Sequence, residues 1–301
     1  MVSTAARRPV LVFGASGLAG SAIVAEAARR AMPVVGTYGS VPVAGLERWQ
    51  GDPGDAAALI ERVRPVAVVY AAGYTHVDGC EARPDEAVRL NAETPAALAR
   101  ESRGTPFVYL STEYVFDGLA GPYAETASIR PLSAYGRSKA EGERRVLAEH
   151  PEALVLRTTV LYGPDHQGKS FVAQLRHRLG QRERMRVPDD QISTPTFTED
   201  LAARMFDLID QRAGGIWHVT GPEAMDRHAF ARIAAEAFGL DARLLEPCAT
   251  ATLGQVAPRP LRAGLRIEKL EAACGQGCMR APAEALAQLA AAERAAVDVS
   301  R

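Results

Sequence analysis

A chain of 301 residues has room for one large α/β domain, or for a domain of ordinary size and a smaller one, and 47% hydrophobic with 24% charged residues is an ordinary globular composition. Its 35 basic and 36 acidic residues leave a net charge of -1 without a long single-sign run, which argues against nucleic acid or an anionic membrane as partner and for a small neutral or anionic ligand. The first residues, MVSTAARRPVLVFG, hold no long apolar stretch before a cleavage site, and nowhere do about 18 apolar residues run uninterrupted, so a cytoplasmic location is expected.

In chain order, apolar runs alternate with helical stretches: PVLVFG, GLAGSAIVAEAARRA, PVVGTY, DAAALIERVR, PVAVVYAAG, then a helical PDEAVRLNAETPAALARES, the run PFVYLS, a helix carrying YGRSKAEGERRVLAEH, and the run ALVLRTTVLYG. This is the βαβ rhythm of a Rossmann-type, doubly wound parallel sheet, and it assigns residues 1–163 to a dinucleotide-binding domain. Beyond YGPDHQGKS the pattern becomes mostly helical (FVAQLRHRLGQ, TEDLAARMFDLIDQR, HAFARIAAEAFG, PAEALAQLAAAERAA) with one strand-like run, GIWHVTG. Residues 164–301 therefore read mainly as a smaller substrate-binding domain, with a segment near 190–220 returning to the sheet.

Four cysteines stand at 80, 248, 274 and 278; the CGQGC spacing lacks a second pair, and the six histidines form no HExxH. Free thiols and no metal are expected.

In VLVFGASGLAG, Gly14, Gly17 and Gly20 fall at the junction of the first strand and helix, a GxxGxxG pattern. Gly14 permits a tight turn, the backbone of Ser16, Gly17 and Leu18 can approach a pyrophosphate, Gly20 lets helix and strand pack closely, and the helix N-terminus favours negative charge. After the second strand the chain reads GTYGSVP, with no carboxylate to hold a ribose hydroxyl and no arginine to hold a phosphate. Ser40 is the candidate ribose neighbour. The turn leans toward NADPH and leaves NADH open. In GDPGD, Asp52 is either an acceptor for the adenine amino group or a solvated turn aspartate.

The chain has only three lysines, Lys139, Lys169 and Lys269, and one of them follows Tyr135 by four residues in YGRSK. Neighbours at i and i+4 share a helix face, so the pair is either structural or a tyrosine acid whose pKa a nearby ammonium lowers. A proton donor beside a carbonyl is what hydride transfer requires. In YLSTEYVFDG, Ser111 and Thr112 end a strand at the carboxyl edge of the sheet, where the Thr112 hydroxyl can hold a carbonyl oxygen or cap the next turn.

Together GASGLAG, AAGYTHVD, STEYVFDG, YGRSK and DQISTPT resemble the extended short-chain dehydrogenase/reductase family, and its dTDP-4-dehydrorhamnose reductase branch most of all; APRPLRAGLRIEKL resembles that branch's C-terminal segment. The resemblance implies an NAD(P)H-dependent reductase of a nucleotide-linked 4-keto-6-deoxy sugar in which Thr112, Tyr135 and Lys139 are catalytic. It implies that Ala71, Ala72 and Gly73 line the cofactor, that Asn91 lies near the active-site end of its helix, and that Tyr74, Thr75, Val77, Asp78, Gln191 and Arg259 touch substrate. Asp78 as a helix cap and Arg259 as a surface charge are the alternatives. Val160 stands where many rhamnose-pathway reductases carry tryptophan, which leaves the sugar open. The pattern also resembles the regulatory β subunit of methionine adenosyltransferase, so a cofactor-binding partner protein without turnover is a second reading, and a sugar-nucleotide 4-epimerase or dehydratase a third. A homodimer is the only assembly the resemblance suggests.

Overall fold

The computed structural model describes residues 7–39 and 42–299, with side chains as far as 296. In the first half the strands are β1 (Val10–Phe13), β2 (Val34–Tyr38), β3 (Glu47–Arg48), β4 (Ala67–Tyr70), β5 (Phe107–Thr112) and β6 (Leu154–Thr158). Between them run α1 (Leu18–Arg29), α2 (Pro53–Val63), α3 (Val77–Ala82), α4 (Pro84–Val88), α5 (Thr94–Glu101) and α6 (Ala134–Glu149). The second half contains β7 (Leu161–Tyr162), α7 (Phe171–Gly180), β8 (Met185–Pro188), β9 (Ile192–Ser193), β10 (Thr196–Phe197), α8 (Thr198–Asp210), β11 (Gly215–His218), β12 (Met225–Asp226), α9 (Arg227–Ala237), β13 (Leu245–Cys248), α10 (Glu268–Cys274) and α11 (Pro282–Val299).

The fold is α/β, a parallel sheet covered by helices. Its seven strands lie in the order β11-β6-β5-β4-β1-β2-β3, with every neighbouring pair parallel. All residues of β1, β4, β5 and β6 are buried, because helices cover both faces; their sequences are therefore mostly apolar runs rather than alternating ones, with the polar Ser111, Thr112, Arg157 and Thr158 at the carboxyl ends of β5 and β6. The chain leaves β1 toward β2 on one side and comes back to β4 on the other, and this reversal opens a crevice at the carboxyl ends of the strands.

The run GIWHVTG supplies β11, which pairs with β6 at the sheet edge, and α8 shares a core with α1 through Leu201, Met205, Ile23 and Ala27. The second half holds more strand than its sequence suggests: β7 pairs with β10, β9 with β12 and β8 with β13. These strands are two to four residues long, too short for a period to show in sequence. Tyr162, Val172, Leu175, Phe197, Phe230 and Leu286 form a second core around them.

The predicted single helix over PDEAVRLNAETPAALARES is interrupted by a π turn at Arg89–Glu93. Pro95 has no N–H to give the Asn91 carbonyl, and the Thr94 N–H reaches back to Arg89 O, which also frees the Leu90 carbonyl. Two tyrosines from the sheet take the freed groups. Tyr70 Oη donates to Leu90 O (2.7 Å) and Tyr109 Oη donates to Asn91 O (2.5 Å). The irregular turn is thereby fixed to β4 and β5, with the Asn91 side chain fully buried.

Candidate active site

A cleft of about 630 Å³ lies at the carboxyl ends of β1, β4, β5 and β6, a size suited to a small-molecule ligand. It is lined by Gly14, Ser16, Gly17, Leu18 and Ala71 to Gly73 and by Thr112, Tyr135 and Lys139. The two clusters singled out in the sequence therefore share one cavity.

The glycine turn is shaped by backbone contact. Gly14 has φ +83°, and a Cβ there would lie 2.6 Å from Ala72 N; a Cβ on Gly20 would lie 2.1 Å from Gly14 O. Only glycine allows α1 to start so close to the end of β1. Gly14 N donates to Thr37 Oγ1 (3.1 Å), and Gly17, the N-cap of α1, brings no side chain to its first turn. The open N–H groups and partial positive charge of that turn suit a phosphate. Gly39 also lines the cleft, while its neighbour Ser40 lies outside the described residues. Asp52 is exposed and caps α2, its Oδ1 accepting from Gly54 N (2.7 Å) and Asp55 N (3.2 Å).

Thr112 is the last residue of β5, and its Oγ1 accepts from Tyr114 N (3.2 Å), the capping role open to it from sequence. Ser133 caps α6 by accepting from Gly136 N (3.1 Å), which sets Tyr135 in the first turn and Lys139 one turn on. A Cβ on Gly136 would lie 2.2 Å from Tyr114 O, so this glycine lets α6 press against the end of β5. Tyr135 and Lys139 are 9% and 4% exposed.

Their electrostatics differ from the simple expectation of a tyrosine lowered by its lysine. Burial pushes the Tyr135 hydroxyl above the ordinary tyrosine range, and a hydrogen bond with Thr112 offsets part of the rise. The Lys139 ammonium is turned to the protein instead, donating to Leu110 O (2.6 Å) and lying 4.2 Å from the Tyr109 ring centre. Burial lowers its pKa to about 7, against the upward pull of Glu143.

Behind these residues is a paired network. Glu143 accepts from Arg157 Nε (2.8 Å) and Nη2 (2.7 Å), both side chains being almost wholly buried, and from Ser111 Oγ (2.5 Å). Asn91 Nδ2 donates to Tyr74 O (3.0 Å) and Ser138 Oγ (2.9 Å), and its Oδ1 accepts from Tyr74 N (2.9 Å). Asn91 thus ties the segment after β4 to α6 from behind the cleft wall.

Of the substrate candidates, Thr75 and Val77 line the cleft. The Tyr74 hydroxyl accepts from Arg83 Nη2 (2.5 Å). Asp78 Oδ1 accepts from Ala257 N (2.9 Å) and pairs with Arg259 (3.0 Å), so these two residues join α3 to the C-terminal segment. Gln191 O accepts from Arg227 N (3.0 Å), while its side-chain amide nitrogen is buried without a partner.

Sequence reasoning did not single out Glu113, Thr158, Thr159, Gln167, Lys169 or Arg227, all of which line the cleft. The scarcity of lysine that drew attention to Lys139 was a signal that could have found Lys169 as well. The segment holding it is pinned by Asp165, which accepts from Gln167 N (3.0 Å) and Ser170 N (2.6 Å), and Gln167 Nε2 donates to Ser16 O (2.7 Å), tying the segment to the glycine turn. Val160 follows in a left-handed conformation, φ +38°, which is strained for a β-branched residue; its carbonyl accepts from Thr196 N (3.1 Å). Among the described residues no cluster of His, Cys, Asp or Glu could hold a metal ion, and no helix is long and apolar enough to cross a membrane.

Similar proteins share this architecture over most of their length. The chain is 35% identical over 258 residues to dTDP-4-dehydrorhamnose reductase of Mycobacterium tuberculosis, covering 83% of this chain and 82% of that one. It is 33% identical over 272 residues to methionine adenosyltransferase 2 subunit beta of Danio rerio, covering 88% and 84%. Crystal structures of dTDP-4-dehydrorhamnose reductases superpose with a TM-score of 0.86 for the Clostridium acetobutylicum protein (30% identity, 95% and 99% coverage) and 0.81 for the Bacillus anthracis protein in complex with NADP (26% identity, 94% and 98% coverage). The model of the RmlD substrate binding domain family matches residues 7–294, and the chain belongs to that family.

Proposed function

We propose that this protein is an NAD(P)H-dependent reductase that converts the keto group of a nucleotide-linked 4-keto-6-deoxy sugar to an alcohol. The observation that carries the reading is the meeting of Thr112, Tyr135 and Lys139 in the same cleft as the glycine turn. Gly14, Ser16, Gly17 and Leu18 would hold the cofactor's pyrophosphate, and Ala71 to Gly73 would line its path toward β5. When bound, the reduced nicotinamide supplies the hydride.

The residues of the chain supply the rest. The Thr112 and Tyr135 hydroxyls hold the ketone oxygen, and Tyr135 gives its proton to that oxygen as negative charge develops there. Burial keeps the Tyr135 phenol protonated, the form a proton donor needs. The phenolate left after transfer is favoured by the Lys139 ammonium, whose position is fixed by Leu110 O and Tyr109. Lys169 and Arg227, which make no ion pair among the described residues, face the cleft as partners for the nucleotide's phosphates.

NADPH is the preferred cofactor in this reading, because the turn after β2 offers no carboxylate to repel a 2′-phosphate. The Bacillus anthracis relative in complex with NADP supports that choice. Likeness to methionine adenosyltransferase 2 subunit beta keeps a regulatory role as the second reading. Mixing the protein with NADPH and dTDP-4-keto-6-deoxyglucose, or its epimerised relative, and following the reduced-cofactor absorbance separates the two. Stoichiometric oxidation of NADPH is expected. Cofactor binding without turnover on either sugar would favour the regulatory role.

A further inference from the structure

Next to Thr112 and Tyr135 the cleft wall carries polar atoms that the protein itself leaves unpaired. Glu113, Thr158 and Thr159 are 5%, 6% and 4% exposed, all three line the cleft, and Glu113 Oε2, Thr158 Oγ1 and Thr159 Oγ1 have no hydrogen-bond partner. Buried polar groups are ordinarily paired, since an unmade hydrogen bond in a dry site is costly. Thr159 stands beside Glu113, close enough to hold its carboxyl pKa down, and even so Glu113 Oε2 and Thr158 Oγ1 are left without a partner. Such orphans on one wall call for a ligand rich in hydroxyl groups.

Their placement says which hydroxyl. Thr158 is the register partner of Thr112 on the neighbouring parallel strand, one strand spacing away, ~4.8 Å. Glu113 is the next residue after Thr112 and opens the short turn Glu113–Val115. Two hydrogen bonds of ~2.8 Å, one to an oxygen at Thr112 and one to an oxygen at Thr158, bring those oxygens as close together as neighbours on one sugar ring. With the ketone at Thr112 and Tyr135, the second oxygen is the hydroxyl on the adjacent carbon.

Resting on the reductase reading above, we propose that Glu113, Thr158 and Thr159 form a specificity subsite for the hydroxyl adjacent to the ketone, so that the enzyme reduces α-hydroxy ketones and discriminates against sugars deoxygenated at that carbon. Burial also raises the Glu113 pKa to about 8, while Thr159 and Arg227 pull it down. At neutral pH its carboxyl is mostly protonated and can both donate to the sugar hydroxyl and accept from it. A site built around a hydroxyl rejects the analogue lacking it far more strongly than an apolar pocket rejects one methylene.

The test compares kcat/KM for a nucleotide-linked 4-keto-6-deoxyhexose with that for its 3-deoxy counterpart. Wild-type protein should prefer the hydroxylated sugar by about a hundredfold or more. Glu113→Leu should shrink the preference below about tenfold, the loss falling mainly on the hydroxylated sugar, whereas Glu113→Gln, which still donates and accepts, should keep more of it. NADPH binding reports whether each variant is folded. Should Glu113→Leu fail to fold, Thr158→Val, of nearly the same shape, carries the comparison with an expected drop of about tenfold. Equal wild-type rates on the two sugars, or an undiminished preference in the folded variants, would overturn the subsite while leaving the reductase reading in place. A wild-type protein that reduces neither sugar would remove both.

Discussion

Support for the strand-end wall of the cleft is buried and paired: Ser111, Glu143 and Arg157 form one hydrogen-bonded unit, and Asn91 with Ser138 and the Tyr74 backbone another. A second part of the wall, from the segment around Lys169 and the start of α9, presents an exposed lysine and a half-buried arginine, neither of them in an ion pair among the described residues, although Arg227 is near enough to Glu113 to pull its carboxyl pKa down. Arg227 rests over the Phe171 ring, 4.9 Å from its centre, rather than in an ion pair. A group that must hold a reacting atom in place needs support on all sides, whereas a group that meets a charged ligand must stay free until the ligand arrives. In this reading the chemistry and the contact to the sugar's adjacent hydroxyl sit on the first wall and the binding of the nucleotide's phosphates on the second, so damage to the supports of the first should appear as lost stability or turnover and damage to the second as weakened binding.

The largest stability effect should come from Glu143→Gln. It leaves the Arg157 guanidinium buried beside a neutral partner, and breaking a buried pair in this way costs about 3–5 kcal/mol, readable as a lower urea midpoint. The same change removes the carboxylate that raises the Lys139 pKa, so the ammonium is lost at a lower pH and the alkaline fall in rate should move down. An unchanged urea midpoint would mean that this network is not what holds the wall.

Lys139→Met should act in the other direction on stability. Because the folded-state pKa of Lys139 is about 7 against 10.5 for a free side chain, the unfolded chain binds more protons between those values. Wild-type stability therefore carries a rising contribution across that window. Relative to wild type, the methionine variant should gain most at neutral pH and lose that advantage as pH approaches the ordinary lysine range, while its turnover collapses. A stability difference that is flat with pH would show that Lys139 is not desolvated in solution.

On the second wall, Arg227→Ala and Lys169→Ala should each raise KM for the nucleotide sugar by about tenfold, or about 1.4 kcal/mol, with kcat within a fewfold. A fall in kcat at unchanged KM would place them with the chemistry and erase the contrast between the walls.

What was legible in sequence follows the same division. The parallel sheet showed because β1, β4, β5 and β6 are buried on both faces and read as apolar runs, and the glycine turn and YGRSK showed because local geometry restricts which residues can stand there. The π turn at Arg89–Glu93 did not show, since it depends on tyrosine hydroxyls from β4 and β5 far away in the chain. Asp78 and Arg259 were noticed separately, but their pairing across 181 positions is a tertiary fact. Glu113 was hidden in plain view: nothing beside it in STEYVFDG says that its carboxyl is buried, and only the packed cleft reveals an oxygen without a partner. The lowered tyrosine pKa was expected from the neighbouring lysine's charge, but burial raises it, and the contribution that works against burial is the hydrogen bond with Thr112.

The smallest effect concerns the cofactor. With neither a repelling carboxylate nor a clamping arginine after β2, preference for NADPH over NADH should be less than about tenfold in kcat/KM, under about 1.4 kcal/mol. A ratio above about a hundredfold in either direction would show that this turn contributes a contact its residue types do not suggest.

The central claim is that Tyr135 donates the proton, and Tyr135→Phe tests it most directly because only a hydroxyl is removed. The variant should fold and bind NADPH as wild type does, while kcat for the nucleotide-linked keto-sugar falls by about 10² to 10⁴, the usual worth of a positioned proton donor. A Tyr135→Phe protein that binds NADPH and turns over the same sugar within a fewfold of the wild-type rate would contradict the account.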